Sequence, residues 1–159
     1  MGKEKFGDSL LCQFGTKTIL IDGGHPGDDS PSDGHRSIPD QIRTLTGHWP
    51  LKVDLLVVTH CHRDHIGCLP ALVEQGLTAT WALVADPDLV WGKSGPTPDA
   101  TADPARAALT ALFDDRPLAS LSPADRAAAL ADGATLETGY RRMLAKLKSQ
   151  GTRIVRYGT

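Results

Sequence analysis

The stretch VVTHCHRDHIGCLP, residues 57–70, decides how the rest of the chain is read. Within it His60, His62, Asp64 and His65 lie directly behind an apolar run and just before Gly67. The run, VDLLVVT over 53–59, has the pattern of a strand buried on both faces, so a central strand ending in a loop is predicted. Such loops are where α/β proteins collect reactive groups, because the strand fixes the origin and the loop curls side chains inward. Imidazoles and a carboxylate at this density are metal donors. His60 and His62, one residue apart by alternation, suit one ion, and Asp64 and His65 can turn toward a second.

Working outward, Leu10–Phe14 and Thr18–Ile21 read as a hairpin around Gly15 and Thr16. A loop rich in Gly, Pro, Asp and Ser follows over 23–37 and belongs at the surface. Ser37 is a helix cap, Pro39 fits the first turn of that helix and Gly47 ends it. Behind the histidine loop a helix is expected from about Gly67 to Gln75, stopped by Gly76, then a strand near Thr80–Ala85. This gives the order ββαβαβ. From Asp86 the chain turns rich in proline, alanine and aspartate, so 86–137 reads as a loop and helical insertion within one domain of 1–159. Three helices are expected from Pro104 onward, the second opening at Ser122–Pro123 and ending at Gly133. The third, TGYRRMLAKLKSQG, places Tyr140, Leu144 and Leu147 on one face, and TRIVRYG returns as a strand.

Composition supports a folded, water-facing protein. Of 159 residues, 40% are hydrophobic and 23% charged, with a formal net charge of −2, close to the globular average. No apolar run approaches the length of a membrane span and the first residues lack a signal-peptide core, so a cytoplasmic location is expected, with no membrane partner. Three cysteines, an odd number, argue for free thiols.

THCHRDHIG carries the HxHxDH string and resembles the signature of the metallo-β-lactamase-fold superfamily of metal-dependent hydrolases. GDSLLCQFGTKTILIDGG is similar to that superfamily's opening hairpin, with Asp22 at its early aspartate, and DLLVVTHCHRDHIGCLPALVE to its strand, metal loop and helix. The texture is nearest the competence-type, DNA-uptake members. The resemblance implies an α/β metallo-β-lactamase-like αββα sandwich. It implies that His60 and His62 hold one zinc, that Asp64 and His65 hold another, and that Asp22 supports them from behind. It also implies hydrolysis of an ester, amide or phosphodiester by metal-activated water, with Asp64 catalytic as carrier of the proton to the leaving group. Zinc suits these ligands best; manganese and iron are chemically acceptable.

The family site needs further ligands from later strands, yet no histidine follows His65. His25, His35 and His48 lie upstream and match no ligand position. The chain is therefore expected to be incomplete, the N-terminal half of the sandwich. Alternatives are a short protein with replaced ligands, a second half or second copy supplied in trans, or a catalytically silent module binding nucleic acid or protein. Asp86 and Asp88 are weighed as substitute ligands and read as turn or cap residues. Cys61 reads as packing and Cys68 as a buried inert thiol. Trp49 and Trp81 read as core, and Trp91 as the best pocket residue among the tryptophans. Arg141, Arg142, Lys146, Lys148, Arg153 and Arg156, with no acid among them after Thr138, hint at a phosphate-rich partner. Self-association through uncovered apolar surface is also expected.

Overall fold

A computed structural model describes residues 8–31, 34–90 and 122–157. Strands β1 (Leu10–Phe14), β2 (Lys17–Ile21), β3 (Lys52–Val57), β4 (Thr78–Ala85) and β5 (Arg153–Tyr157) form one sheet in the order β1-β2-β3-β4-β5. β1 pairs antiparallel with β2 as the predicted hairpin, and every later pairing is parallel. The carboxyl ends of β2 to β5 therefore share one edge. Asp22, the histidine loop, Asp86 and Tyr157 all lie there, although they come from distant parts of the sequence. Crevices at the carboxyl ends of parallel strands are where α/β folds place their chemistry.

The helices are α1 (Ile38–Thr46), α2 (Arg63–Ile66), α3 (Leu69–Glu74), α4 (Pro87–Val90) and α5 (Pro123–Ser149). α1 starts and stops as its sequence dictates. The Ser37 hydroxyl accepts from the Asp40 N–H, a cap contributing about 1 kcal/mol, and Gly47 takes a left-handed φ of 82°. The helix expected over 67–75 is α3, and the histidine loop before it carries a further short helix, α2. Asp64 and His65 are thus helical residues rather than part of an extended loop.

α5 runs unbroken through Gly133, where two helices were expected. A helical glycine costs only about 1 kcal/mol relative to alanine, less than the packing of the C-terminal turns returns. There Tyr140, Met143, Leu144 and Leu147 are all buried, at the i, i+3, i+4, i+7 spacing of one helix face. The first of the three expected helices lies in 91–121, outside the described residues, as does Trp91. Among the described residues no helix is long and apolar enough to cross a membrane.

The sheet has two unlike faces. Leu20, Leu56 and Ala82 stand in one cross-strand row and are buried in a single core with Ile42 of α1, Leu72 of α3 and Tyr140 of α5. Their neighbours along the strands point the other way. The row Ile21, Val57, Leu83 and Val155 ranges from half-buried to 46% exposed. β3 is therefore fully covered on one face only, because α1, α3 and α5 all contribute to the same core. Trp81, read as core, is 42% exposed on the open face, with the Arg153 guanidinium 5.0 Å from its ring centroid. Trp49 does pack against the core.

Candidate functional site

The edge where β3 ends is held by one carboxylate. Asp22 follows β2 with φ of 56°, a left-handed conformation that aspartate tolerates better than most residues. Its N–H donates to the Val57 carbonyl at 2.9 Å, and its side chain is buried. Oδ1 accepts the Thr59 N–H at 2.8 Å, and Oδ2 accepts the Thr59 hydroxyl and the Nδ1 of His65, the latter at 2.8 Å. A buried carboxylate with three donors is well satisfied, and it fixes both ends of the loop that carries the histidines.

Three imidazoles pack together above it. The His60 ring centroid lies 4.3 Å from that of His62 and 3.7 Å from that of His65. Burial, then the neighbouring His65 and His62, holds the His60 pKa below its usual range, which favours the neutral ring. Thr59 Oγ1 also lies 3.0 Å from His60 Nδ1. With its proton given to Asp22, this oxygen accepts from His60 Nδ1–H. In both His60 and His65 the Nδ1 side is then engaged, and Nε2 is the outer nitrogen of the ring. His65 Nε2 and Asp64 Oδ2 approach to 3.6 Å, too long for a hydrogen bond.

The Gly67 backbone makes this fold of the loop possible. A Cβ there would stand 1.6 Å from the Gly24 carbonyl oxygen, and Gly23 N–H donates to the His65 carbonyl at 2.6 Å. The two loops touch backbone to backbone, which only glycine allows at such contact.

The structure thus brings together all five residues singled out from sequence, Asp22, His60, His62, Asp64 and His65. It does not gather the others. Asp86 accepts the Asp88 N–H at 2.9 Å, an ordinary turn role at the start of α4, and Asp88 pairs with Arg141 at 2.8 Å. His48 bonds within its own turn. His25 and His35 line a cleft of about 510 Å³ with Leu11, Leu20, Arg36 and Ile42, and none of the cluster histidines lines it. Cys61 is buried, and burial pushes its thiol up to about 12. Cys68 donates to the Gly23 carbonyl at 2.9 Å, and burial raises its thiol too.

The basic C-terminal patch is largely spoken for. Arg141 bonds Glu137 and Asp88, Lys146 bonds Glu74 at 2.5 Å, Arg156 lies 3.6 Å from Asp86, and Arg153 covers Trp81. Glu137 lies one turn earlier on the same helix, and the other acids come from elsewhere in the chain.

Sequence reading missed Thr59, Tyr140 and Tyr157. Thr59 could have been flagged as the residue preceding His60, where a hydroxyl can reach the same carboxylate. Tyr140, fully buried, donates from its hydroxyl to the Ala85 carbonyl at 2.9 Å and contacts Cys61. Tyr157 donates to the Val58 carbonyl at 2.9 Å and also meets the Thr59 carbonyl. Burial pushes its phenol up to about 12, so it keeps its proton at neutral pH.

The sequence profile of the Metallo-beta-lactamase superfamily matches residues 2–127, more than half of the chain. The chain belongs to the metallo-β-lactamase superfamily. No curated protein matches it. The α/β arrangement with its cluster at the strand ends agrees with membership in this hydrolase superfamily, whose members point to a metal at such a site.

The residues fit an ion in kind. Two ligands of one tetrahedral zinc, each at about 2.0–2.1 Å, stand about 3.3 Å apart, close to the separation of His65 Nε2 and Asp64 Oδ2. A carboxylate behind a ligating imidazole is a recurrent way of fixing its tautomer. In number they fall short. Among the described residues no group of three or more His, Cys, Asp or Glu side chains is placed so that it could hold a metal ion.

Proposed function

We propose that this chain carries the metal-binding part of a hydrolase site, with His60, His62, Asp64 and His65 as ligands of zinc and Asp22 as the carboxylate that orients His65. The observation that carries this reading is the Asp22–His65 bond. It commits Nδ1 and leaves Nε2 toward Asp64, which is how a histidine is prepared for a cation rather than for a structural hydrogen bond.

When bound, such an ion supplies Lewis-acid polarisation of the scissile carbonyl or phosphoryl group and an acidified water. The chain's own residues do the rest. Thr59 and Asp22 engage Nδ1 of His60 and His65, so that Nε2 is the nitrogen each ring can turn to the ion. Asp64, about a third exposed, is the group able to accept a proton from an attacking water and return it to the leaving group. Ester, amide and phosphodiester bonds all suit this chemistry. The competence-type texture favours phosphodiesters, whereas the pairing of the basic residues removes much of the electrostatic case for nucleic acid. Manganese and iron suit the same ligands.

The test is metal content per chain by mass spectrometry, for the wild type and a His62→Ala/Asp64→Ala double variant, with hydrolysis assayed on an aryl ester, a lactam and a bis-aryl phosphodiester. The reading expects at least one zinc in the wild type, none in the variant, and turnover that follows the metal. A wild type with well under one metal per chain and no turnover contradicts it.

A second reading, a catalytically silent binding module, is favoured by the open sheet face and by the shortage of ligands among the described residues. The exposed row is apolar on every strand, a surface that suits a second copy of the chain stacking face to face about 10 Å away. Sedimentation decides this: a dimer abolished by Val155→Glu supports it, and a monomer at high concentration rejects it.

A further inference from the structure

Tyr157 closes β5 at the edge of the sheet, and β4 separates it from β3. Its hydroxyl nevertheless reaches past β4 to the Val58 carbonyl, 99 residues away in sequence, and to the Thr59 carbonyl. These two residues lie just beyond the last residue of β3. The Val58 N–H is taken by the Leu83 carbonyl at 2.9 Å, and the Thr59 N–H and hydroxyl by Asp22. The segment leading into His60 is therefore held from both sides, its donors by Leu83 and Asp22 and its carbonyls by Tyr157.

We infer that Tyr157 is a positioning residue for the histidine cluster. Its phenol fixes the Thr59–His60 peptide, and with it the direction in which the His60 ring leaves the backbone. The superfamily match ends at residue 127, so this support comes from a part of the chain that the match does not reach. The inference rests on the metal-site reading for its functional meaning, but the geometric claim stands by itself. Supports of this kind characteristically tune ligand affinity by 10–100-fold, because a ligand set left loose forfeits its preorganisation.

The experiment compares wild type with Tyr157→Phe and Thr152→Val. Thr152 Oγ1 donates to the Ala79 carbonyl at 2.6 Å. It therefore sits before the other end of β5, and its loss costs a buried hydrogen bond away from the cluster. Zinc affinity is measured by calorimetry, and amide hydrogen exchange is read at residues 59–62. Tyr157→Phe is expected to weaken zinc about tenfold and to speed exchange at Thr59, His60 and Cys61, while Thr152→Val leaves both unchanged. Equal effects of the two variants, or unchanged exchange in Tyr157→Phe, overturn the inference. If the wild type binds no zinc, the metal-site reading fails. Exchange then decides the positioning claim: faster exchange confined to Tyr157→Phe upholds it, and unchanged exchange ends it.

Discussion

The histidine cluster after β3 and the two tyrosines of α5 and β5 meet at one edge of the sheet, but they reach it by opposite routes. The cluster is local: four chemistry-bearing side chains lie between residues 60 and 65, with Asp22 as a distant partner. The tyrosines are solitary residues on a helix and a strand with no motif of their own. Each gives one hydroxyl to a distant backbone carbonyl, Tyr140 to Ala85 and Tyr157 to Val58. Reactive groups can be grouped on one loop. The scaffold that holds the loop must come from elsewhere, because a loop cannot brace itself.

If this division is right, damage to the loop's own contacts should outweigh damage to its distant braces. Gly67→Ala is expected to have the largest effect. Its Cβ meets the Gly24 backbone at 1.6 Å, from a φ of 25°. A loss of about 3 kcal/mol or more is expected from overpacking together with backbone strain, seen as a lower urea midpoint. An unchanged midpoint would show that the two loops can separate freely.

Asp22→Asn comes next. It replaces an acceptor of three hydrogen bonds with an amide that turns N–H toward at least one donor. A cost of about 2–3 kcal/mol is expected, with zinc binding weakened at least tenfold. Calorimetry and urea titration of the same variant read both, and wild-type zinc affinity would remove Asp22 from the site.

Tyr140→Phe should cost about 1 kcal/mol, one buried hydrogen bond with its packing kept. A loss as large as that of Gly67→Ala would break the comparison, since the brace would then matter as much as the loop.

The smallest effect belongs to Asp54, away from the site. The Lys17 ammonium at 2.7 Å, then the Thr18 N–H, hold its carboxyl below the usual 3.8. A lowered folded pKa means stability present at neutral pH and lost as pH falls below about 3.8. Asp54→Asn should slightly flatten the acid limb of the stability curve and leave the midpoint at pH 7 nearly unchanged, as for an exposed pair.

How much of this was legible in the sequence follows the same division. The hairpin, the capped α1, the order of elements and the cluster could be read because each rests on neighbouring residues: alternation, a cap with its glycine stop, donors at close spacing. Asp22 was placed by its resemblance to the family's early aspartate. The short helix α2 within the histidine loop was not legible, because the tight contact of Gly67 with Gly24 that ends it is a tertiary event. Neither was the continuity of α5 through Gly133, where core packing of Tyr140 and Leu147 overrides a weak local break. Trp81 was misread because a tryptophan in a strand says nothing about which face is covered. The basic C-terminal residues gave a hint of a phosphate-rich partner because Glu74, Asp86 and Asp88, which pair with them, lie far away in sequence. Tyr157 had no local signal.

The account stands most directly on zinc K-edge X-ray absorption of the chain after loading with one equivalent of zinc. It predicts nitrogen and oxygen neighbours at about 2.0–2.1 Å with the multiple scattering of at least two imidazoles, and no sulfur near 2.3 Å, because Cys61 and Cys68 are buried as protonated thiols. A sulfur shell, or a spectrum of fully hydrated zinc without imidazole, would contradict the claim that His60, His62, Asp64 and His65 form a metal site.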